Sequence, residues 1–411
     1  MKILHTSDWH IGHKLYNNDR TEEHRHFFSW LVDTINREAI DVLLVCGDIF
    51  DVGYPSNLAL KTYYQLLKEL VGSRCGKVII TGGNHDFVST LEAPREVLEV
   101  LNVEVVGGVP EDISKELIKL MNEQGEVEVV IAAVPFLREK DVRSPVAGES
   151  PDERIRATRA GILEHYHRVA GLAAKFTEKN IPVIATGHLY MQGSQLSESE
   201  RDIHLGNQAG VPVSGFPDAF SYFALGHIHR AQTISNEPPV IYSGSPIALS
   251  FSEQHNKKSV RIISIKNGLV THEKLEIPRA RRLKSFTGTY EEVTTMVREY
   301  KAAGSLPDWI ELLITKDEYD PLLPRMADQF VDETNRNNPN FQIIRHTIAF
   351  AERNIESYLS GNTGKSLNDM TETEVFERLL ENQGITETET YIRSFQELLD
   401  IVYSEQDQNQ P

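Results

Sequence analysis

The chain has 411 residues, of which 40% are hydrophobic and 25% charged, a composition typical of a soluble globular protein with two or three domains. Its 60 acidic residues outnumber its 42 basic residues, and the net charge of −18 argues against a surface that holds nucleic acid by bulk attraction. No apolar run approaches the roughly 18 residues of a membrane span, and the first residues turn polar too early for a signal peptide. We therefore expect a cytoplasmic protein.

The cysteine content excludes two further classes of site. Cys46 and Cys75 do not form a CxxC-type metal pattern, and two cysteines cannot build a disulfide framework. Because Cys46 lies inside the apolar run "DVLLVCGD", we predict that it is a small buried residue and not a reactive thiol.

Over roughly the first 270 residues, short β-rich apolar runs alternate with segments of helical period, which predicts an α/β or layered α-β domain. The predicted strands are "MKILHTS", "DVLLVCG", "KVIITGG", "VEVVIAAV", "PVIATGH", "YFALGH" and "PVIYSGS". Two intervening segments space their apolar residues three and four apart, as amphipathic helices do: "HRHFFSWLVDTINREA" and "NLALKTYYQLLKELV".

The pattern changes at "PRARRLK", residues 278–284, and a smaller α/β unit follows. Its predicted strands are "LKSFTGTY", "DWIELLIT" and "FQIIRHTIAF", and its predicted helices are "YEEVTTMVREYKAA" and "PLLPRMADQFVDETNR". We therefore divide the chain into a large domain (1–275), a small domain (280–352), a polar linker (353–370) and a helical region (371–405).

The helical region carries two start signals and two apolar stripes. Thr371 with Glu374, and Thr386 with Glu389, each fit the capping box that opens a helix. The stripes are Val375, Phe376, Leu379 and Leu380, then Ile392, Phe395, Leu399 and Val402. Such stripes usually pack within their own chain, but these follow a polar linker at the end of a complete domain, which favours binding to a partner.

Five of the predicted strands of the large domain end in side chains that can bind metal. They are Asp8 and His10, Asp48 and Asp51, Asn84 with His85 and Asp86, His188, and His227 with His229. Ligands gather at the carboxyl ends of strands in open sheets, so five such ends on one edge would converge on one site. Glycine precedes the polar residue in four of the five clusters, which suits sharp turns and close backbone approach: Gly47, Gly83, Gly187 and Gly226.

The donor types indicate which chemistry such a site would perform. Carboxylate, amide and imidazole groups without a thiolate, in this number, suit two octahedral or five-coordinate ions that share a carboxylate better than one tetrahedral zinc. Two adjacent divalent ions suit in-line displacement at phosphorus. A lone GH or GD turn is more often structural, yet five strand-end clusters in this order favour a metal site.

The series "DWH", "GDIFD", "GNHD", "GH" and "GHIH" resembles the calcineurin-like metallophosphoesterases. The longer phrases "HTSDWHIGHKL", "RDIHLGNQAGVP", "FALGHIH" and "YSGSPIALSFSE" resemble one branch of them, the SbcD family of nuclease subunits from bacterial SbcCD exonucleases. The resemblance implies an α+β fold of two packed β-sheets flanked by helices, with a small α/β capping domain and C-terminal helices.

The resemblance also implies a role for each matching position. The metal ligands would be Asp8, His10, Asp48, Asn84, His188, His227 and His229, with Asp48 shared between the two ions. His85 would face the scissile phosphate as a catalytic residue, and Asp86 would orient a neighbour. Asp51 departs from the histidine that many relatives carry, so it would orient His85 or a metal-bound water, with a structural role as the alternative.

The implied activity is a nuclease, exonuclease and endonuclease, of DNA repair, recombination and replication, activated by two divalent ions, most often Mn²⁺. The implied partners are DNA, an SbcC-like coiled-coil ATPase bound through the C-terminal helices, and a second copy of the chain within a heterotetramer. No GxxxxGK[ST] loop occurs here, so the partner would supply ATP chemistry. Of two basic clusters, we expect "NKKSVR" to be a solvated loop and "PRARRLK" to contact DNA or a partner.

Two alternatives stay open from the sequence. A phosphomonoesterase, nucleotidase or cyclic-nucleotide phosphodiesterase could use the same metals, because surrounding loops set the substrate. A non-catalytic scaffold that tethers DNA ends is the other, although a degenerate scaffold should have lost ligands and none is missing.

Overall fold

The computed structural model describes residues 1–197, 199–200, 210–318, 320–350, 371–382, 391–396 and 398–399. The strands of the described part are β1 (Lys2–Thr6), β2 (Lys14–Leu15), β3 (Asn18–Asp19), β4 (Val42–Cys46), β5 (Lys77–Thr81), β6 (Val103–Val106), β7 (Leu117–Met121), β8 (Val127–Ala132), β9 (Val183–His188), β10 (Tyr222–Gly226), β11 (Gln232–Asn236), β12 (Pro239–Tyr242), β13 (Ser259–Lys266), β14 (Leu269–Glu276), β15 (Leu283–Gly288), β16 (Asp308–Lys316) and β17 (Phe341–Phe350). The helices are α1 (Thr21–Glu38), α2 (Asn57–Val71), α3 (Val88–Glu92), α4 (Arg95–Val100), α5 (Glu139–Val142), α6 (Pro151–Thr177), α7 (Tyr290–Glu299), α8 (Leu323–Asn337) and α9 (Glu372–Asn382).

The structure contains two six-stranded β-sheets, and each combines parallel and antiparallel strands. The first runs β14-β13-β1-β4-β5-β6, with β1, β4, β5 and β6 parallel and β13 antiparallel to β1. The second runs β11-β12-β10-β9-β8-β7, with β12, β10, β9 and β8 parallel and antiparallel strands at both edges. The central parallel strands β1, β4 and β5 of the first sheet and β8, β9, β10 and β12 of the second are buried almost throughout, which is why they read as continuous apolar runs, whereas β6 is a parallel edge strand.

The apolar core lies between the sheets and on their outer faces. The inner layer joins side chains of both sheets, among them Ile3, Leu44, Ile79, Ile131, Ile184 and Ala224. The outer face of the first sheet is covered by α1, α2 and α4, and that of the second by α6. The structure thus confirms the expected pair of packed sheets flanked by helices.

A third sheet has the strand order β15-β16-β17. The chain divides into two compact units, the first made of Met1–Phe286, Val297–Leu312 and Val331–His346, and the second of Thr287–Met296, Leu313–Phe330 and the described residues of Thr347–Pro411. All three strands of this sheet carry residues of both units. The domain boundaries proposed from the sequence therefore stay a prediction, and the linker at 353–370 lies outside the described residues.

All seven strands and both helices predicted for the large domain are confirmed. The three strands and two helices predicted for the small domain, residues 280–352, are confirmed as well. The Thr371 capping box is also confirmed, because the Thr371 and Glu374 backbone N–H groups donate to each other's side chains at 2.8 and 3.3 Å. The box at Thr386 lies outside the described residues, and so does Val402 of the second stripe.

Several elements of the large domain were missed from the sequence. They are the strands β2, β3, β6, β7, β11, β13 and β14 and the helices α3, α4, α5 and α6. A start signal for the long helix α6 was available, because Ser150 and Glu153 form a capping box with Pro151 at the first helical position. In the part of the chain that the structure describes, no helix has the length and apolarity to cross a membrane.

Candidate metal centre

The five polar strand ends meet at one edge of the paired sheets. Three follow β1, β4 and β5 of the first sheet, and two lie at the ends of β9 and β10 of the second. Backbone hydrogen bonds hold the first two ends together: the Asp8 N–H donates to the Gly47 carbonyl and the His10 N–H to the Asp48 carbonyl, both at 3.0 Å. Of the ten side chains at these strand ends, all but Asp86 lie in one connected cluster.

Four residues of this cluster have left-handed backbone. The φ angles are +52° at Asp8, +46° at His10, +51° at Asp48 and +97° at His227. A positive φ is unfavourable for residues with a Cβ atom, and such strain concentrates at functional sites, where the surrounding structure enforces it.

Two glycines leave the space that the cluster needs. Gly47 has φ +82°, and a Cβ atom there would come within 2.2 Å of Nδ1 of His188. A Cβ atom on Gly83 would come within 2.1 Å of Oδ1 of Asp48. The close backbone approach predicted for these glycines is therefore confirmed.

One half of the cluster contains Asp8, His10 and His229, whose potential ligand atoms all lie within 4.8 Å of one another. The Nε2 atoms of His10 and His229 are 3.1 Å apart. Burial raises the pKa of Asp8 to about 6 and lowers the pKa of His10 to about 3. The Asp8 carboxylate accepts hydrogen bonds from the His227 N–H at 2.8 Å and from the Ser7 hydroxyl at 2.5 Å.

The other half joins Asp48, Asn84, His188 and His227. Nε2 of His188 lies 3.2 Å from Asp48 Oδ2 and 2.9 Å from Asn84 Oδ1, which is also 3.3 Å from Nδ1 of His227. Nδ1 of His188 donates to the carbonyl of Cys46 at 3.1 Å, which leaves Nε2 to face the cluster. Burial lowers the pKa of His188, but the Asp48 carboxylate outweighs it and raises this pKa to about 9.

His85 and Asp51 are linked through the backbone. Nδ1 of His85 lies 2.6 Å from the Asp51 carbonyl oxygen, which can only accept, so Nδ1 carries the proton and Nε2 is left free for another role. The Asp51 carboxylate instead lies 3.2 Å from Nδ1 of His10 and 3.1 Å from Nδ1 of His13. Burial raises the pKa of Asp51, but these two imidazoles dominate and lower it far below its usual value.

Asp86 lies behind the cluster as a buried acceptor. Its carboxylate receives backbone N–H groups from Gly83 at 2.9 Å, Phe50 at 3.0 Å and Ile49 at 3.1 Å. The side chain therefore ties the loop after β4 to the loop after β5. This geometry agrees with the orienting role expected for Asp86.

The comparison with family models decides the classification. The model described as calcineurin-like phosphoesterase matches residues 1–231, more than half of the chain. The chain belongs to the calcineurin-like phosphoesterase family. A second model, described as Type 5 capsule protein repressor C-terminal domain, matches residues 279–384 of this phosphoesterase.

Curated relatives extend the match beyond the catalytic domain. The phosphoesterase is 32% identical over 395 residues to the SbcD subunit of the SbcCD nuclease of Escherichia coli strain K12, a match that covers 95% of each chain. The SbcD subunits of Rhodobacter capsulatus and Bacillus subtilis are 35% and 30% identical over 68% and 65% of this chain, and over 70% and 67% of their own lengths. The sequence-based assignment to the SbcD branch is confirmed.

A calcineurin-like phosphoesterase depends on divalent metal, and the residues present fit that requirement. Among the described residues, Nε2 of His227 is buried without a hydrogen-bond partner, and an imidazole nitrogen in that state is suited to a cation. The buried carboxylates of Asp8 and Asp48 supply the charge, and all donors are oxygen or imidazole nitrogen.

The sequence analysis missed the residues of the phosphoesterase that support His229. Ser199 Oγ is 2.6 Å from Nδ1 of His229, and Glu253 binds Ser199 and lies 3.8 Å from the same nitrogen. Lys258 forms a buried ion pair with Glu253 and donates to the His229 carbonyl at 3.1 Å. The phrase "YSGSPIALSFSE" contained Glu253 but offered no local reason to give it a role.

The predictions for the two basic clusters need correction. "NKKSVR" was expected to be a solvated loop, which is wrong for Lys258 and Arg261, because both side chains are buried. In "PRARRLK", Arg281 is buried, with its guanidinium 4.2 Å above the Trp309 ring and its Nε 3.3 Å from the Glu23 carboxylate. A DNA or partner contact therefore stays a prediction for the exposed Arg279 and Arg282 and the half-buried Lys284.

Proposed function

We propose that the chain is the nuclease subunit of an SbcCD-type DNA repair complex, a manganese-dependent enzyme that hydrolyses DNA phosphodiesters as exonuclease and endonuclease in the cytoplasm. The observation that carries the proposal is the complete strand-end cluster in a chain that matches a nuclease subunit along 95% of both lengths. An intact donor set favours catalysis over a purely structural scaffold.

The donor geometry supports an assignment of two cation positions. One would use Asp8, His10, Asp48 and His229, and the other would use Asp48, Asn84, His188 and His227. Asp48 is suited to the shared position, because its Oδ2 lies 3.2 Å from Nε2 of His188 and 3.6 Å from Nε2 of His10. The oxygen-rich donor set is compatible with Mn²⁺, and activity with different ions tests that choice.

Two bound divalent ions would neutralise charge on the phosphoryl oxygens and activate a water for in-line attack. The role of His85 follows from its hydrogen bonds: the Asp51 carbonyl holds Nδ1, and the Asp48 carboxylate accepts the His85 backbone N–H at 2.9 Å. Nε2 of His85 would therefore face the phosphate, where it stabilises developing charge or protonates the leaving oxygen.

Asp51 would act as a positioning residue in two ways. Its carbonyl orients His85, and its carboxylate orients His10 from the side opposite to Nε2. A carboxylate with a strongly lowered pKa is ionised at neutral pH, so Asp51 does not serve as a proton donor.

The proposed partner is a coiled-coil ATPase that binds the C-terminal helices. The two apolar stripes meet within the described residues, since the rings of Phe376 and Phe395 stack with centroids 4.1 Å apart. A helix pair joined in this way can present its remaining apolar residues to a groove or coiled coil. We place the chain as a homodimer within a heterotetramer, with α1 and α2 as candidate dimer helices.

The experiment compares the purified chain with Asn84→Ala and His85→Ala on linear and hairpin-ended DNA with Mn²⁺. Bound metal is quantified for each protein. We expect both variants to lose cleavage, with metal content reduced in Asn84→Ala and retained in His85→Ala. His167→Ala is the matched control, because His167 is an exposed histidine of α6, and it should cleave like the parent.

The same assay distinguishes the alternative phosphoesterase activities. Absence of DNA cleavage with a coiled-coil ATPase partner present, together with rapid hydrolysis of a small phosphomonoester or cyclic nucleotide, would replace the nuclease proposal. Mn²⁺ binding without hydrolysis of any phosphoester would support a tethering scaffold instead.

A further inference from the structure

Two exposed aromatic side chains lie next to the proposed catalytic residues. The Tyr54 side chain is 81% exposed and Phe87 is 43% exposed, although both belong to loops of a well-packed domain. Their rings meet edge to face with centroids 4.8 Å apart and an interplanar angle of 81°. In such a pair the edge of one ring covers a face of the other, so further ring surface stays open to solvent.

These rings are attached firmly to the loops of the cluster. The Phe87 ring packs directly on Gly53, where a Cβ atom would come within 2.4 Å of the ring. Thr90 Oγ1 donates to the Gly53 carbonyl at 2.9 Å, and the Asp51 carbonyl accepts Nδ1 of His85 at 2.6 Å. Three non-covalent contacts, one by packing and two by hydrogen bonds, therefore connect the loop that carries Tyr54 to the turn that carries Phe87.

The chain connectivity keeps the rings close to the phosphate that His85 would face. Phe87 is two residues from His85, and Tyr54 is three residues from Asp51, a separation of at most about 11 Å between Cα atoms. Arg138 adds positive charge at the same turn, because its Nη2 donates to the Asp86 carbonyl at 3.0 Å. Aromatic faces beside a cation are the combination that binds single-stranded nucleic acid.

We propose that Tyr54 and Phe87 form a stacking platform for an unpaired nucleobase adjacent to the scissile phosphate. The inference rests on the proposed nuclease function and adds the part of the DNA that is recognised. A base inside a duplex already has both faces stacked, so the platform takes a terminal, overhanging or extruded base. Every base has a π face, and this contact is therefore tolerant of sequence.

The test compares two DNA substrates in each variant of the full chain, with its ATPase partner present. One substrate carries a normal base beside the cleaved bond, and the other carries an abasic residue there. Loss of one stacked base corresponds to about a 5- to 150-fold loss in kcat/KM. We expect Tyr54→Ala to lose that amount on the base-bearing DNA and nothing on the abasic DNA, while Tyr54→Phe keeps the parental preference.

Val100→Ala is the control, because Val100 is an 83% exposed apolar residue at the end of α4, and this variant should retain the preference for a base. As a second readout, 2-aminopurine at the same position should be quenched by the parent chain and by Tyr54→Phe but not by Tyr54→Ala. This fluorescence signal reports stacking directly, and parental cleavage of the abasic DNA by Tyr54→Ala shows that the variant is folded.

Equal effects of Tyr54→Ala on both substrates, or no effect on either, would overturn the platform while leaving the nuclease proposal intact. An unchanged base preference with altered sedimentation of Tyr54→Ala would overturn it too, and would assign the rings to contact with a second copy of the chain. Failure of the parent chain to cleave either DNA would instead reject the nuclease function on which the inference rests.

Discussion

Lys257 and Lys258 are consecutive lysines, yet the structure predicts opposite outcomes for their replacement. The ion pair of Lys257 with Glu276 has side chains that are 71% and 57% exposed, whereas those of Lys258 and Glu253 are 7% and 0% exposed. Lys258 also donates to Ser245 Oγ at 2.7 Å. Methionine keeps most of the side-chain volume, so Lys258→Met chiefly removes the charge and its hydrogen bonds.

The expected loss of unfolding free energy follows from the buried Glu253 carboxylate that Lys258→Met leaves unpaired. Glu253 would remain as a buried carboxylate without its cation, and breaking a buried pair in this way costs about 3–5 kcal/mol. For a domain of this size, each kcal/mol corresponds to about 2–4 °C in Tm, so we expect a decrease of about 10 °C. Lys257→Met should change the unfolding free energy by about 1 kcal/mol or less, because its pair is solvated.

The loss of stability caused by Lys258→Met depends on pH, and its direction follows from the pKa of Glu253. Burial raises the pKa of Glu253, but Lys258 and His229 outweigh it and hold this pKa well below the usual range. In the parent chain Glu253 therefore contributes stability above a pH of about 4.3, the unfolded value, and loses it as the pH falls. Without Lys258 burial dominates, the folded pKa is raised, and stability falls as the pH rises. The difference in Tm between parent and variant should widen from pH 4 to pH 7.

The assay is thermal unfolding of the full chain in chelator, followed by calorimetric titration with Mn²⁺. Because Lys258 and Glu253 support His229, we expect Lys258→Met to weaken Mn²⁺ binding by about 10–100-fold. The double variant Lys258→Met with Glu253→Gln should recover part of the lost stability, since no unpaired charge remains. Equal melting temperatures for Lys258→Met and Lys257→Met would refute the reasoning.

Three more predictions test the cluster and its surroundings. Gly83→Ala should abolish Mn²⁺ binding measured by calorimetry, because the added Cβ would lie 2.1 Å from Asp48 Oδ1. In contrast, Gly171→Ala in α6 has open space for the added Cβ and should raise the unfolding free energy by up to about 1 kcal/mol. Asp86→Asn should lower the unfolding free energy in urea by about 1–3 kcal/mol for each backbone N–H left unpaired, and an unchanged urea midpoint would contradict that. Phe376→Ala should weaken binding of a coiled-coil ATPase partner about tenfold in a titration without changing metal content.

The central strands and their polar ends could be located from the sequence because the signals are local. A parallel strand buried on both faces reads as a continuous apolar run, and the turn after it requires glycine where backbones approach closely. The predictions for β1, β4, β5, β9 and β10 rested on these features. The edge strands were harder, since a strand with one solvated face, such as β14, shows only weak alternation.

The partners of each site residue depend on contacts between distant parts of the chain. His10 and His229 bring their Nε2 atoms to 3.1 Å across 219 residues, and no local pattern encodes that pairing. The same holds for Asp51, whose neighbours show that its carbonyl, and not its carboxylate, holds His85.

Lys257 and Lys258 show that the local sequence does not predict burial, because they are identical and adjacent in "NKKSVR". One is solvated, and the other is buried against Glu253, Ser245 and the His229 carbonyl. Composition and spacing describe both lysines equally well. Burial is settled by the packing of segments that are far apart along the chain, and in this protein burial separates a surface charge from a support of the candidate metal centre.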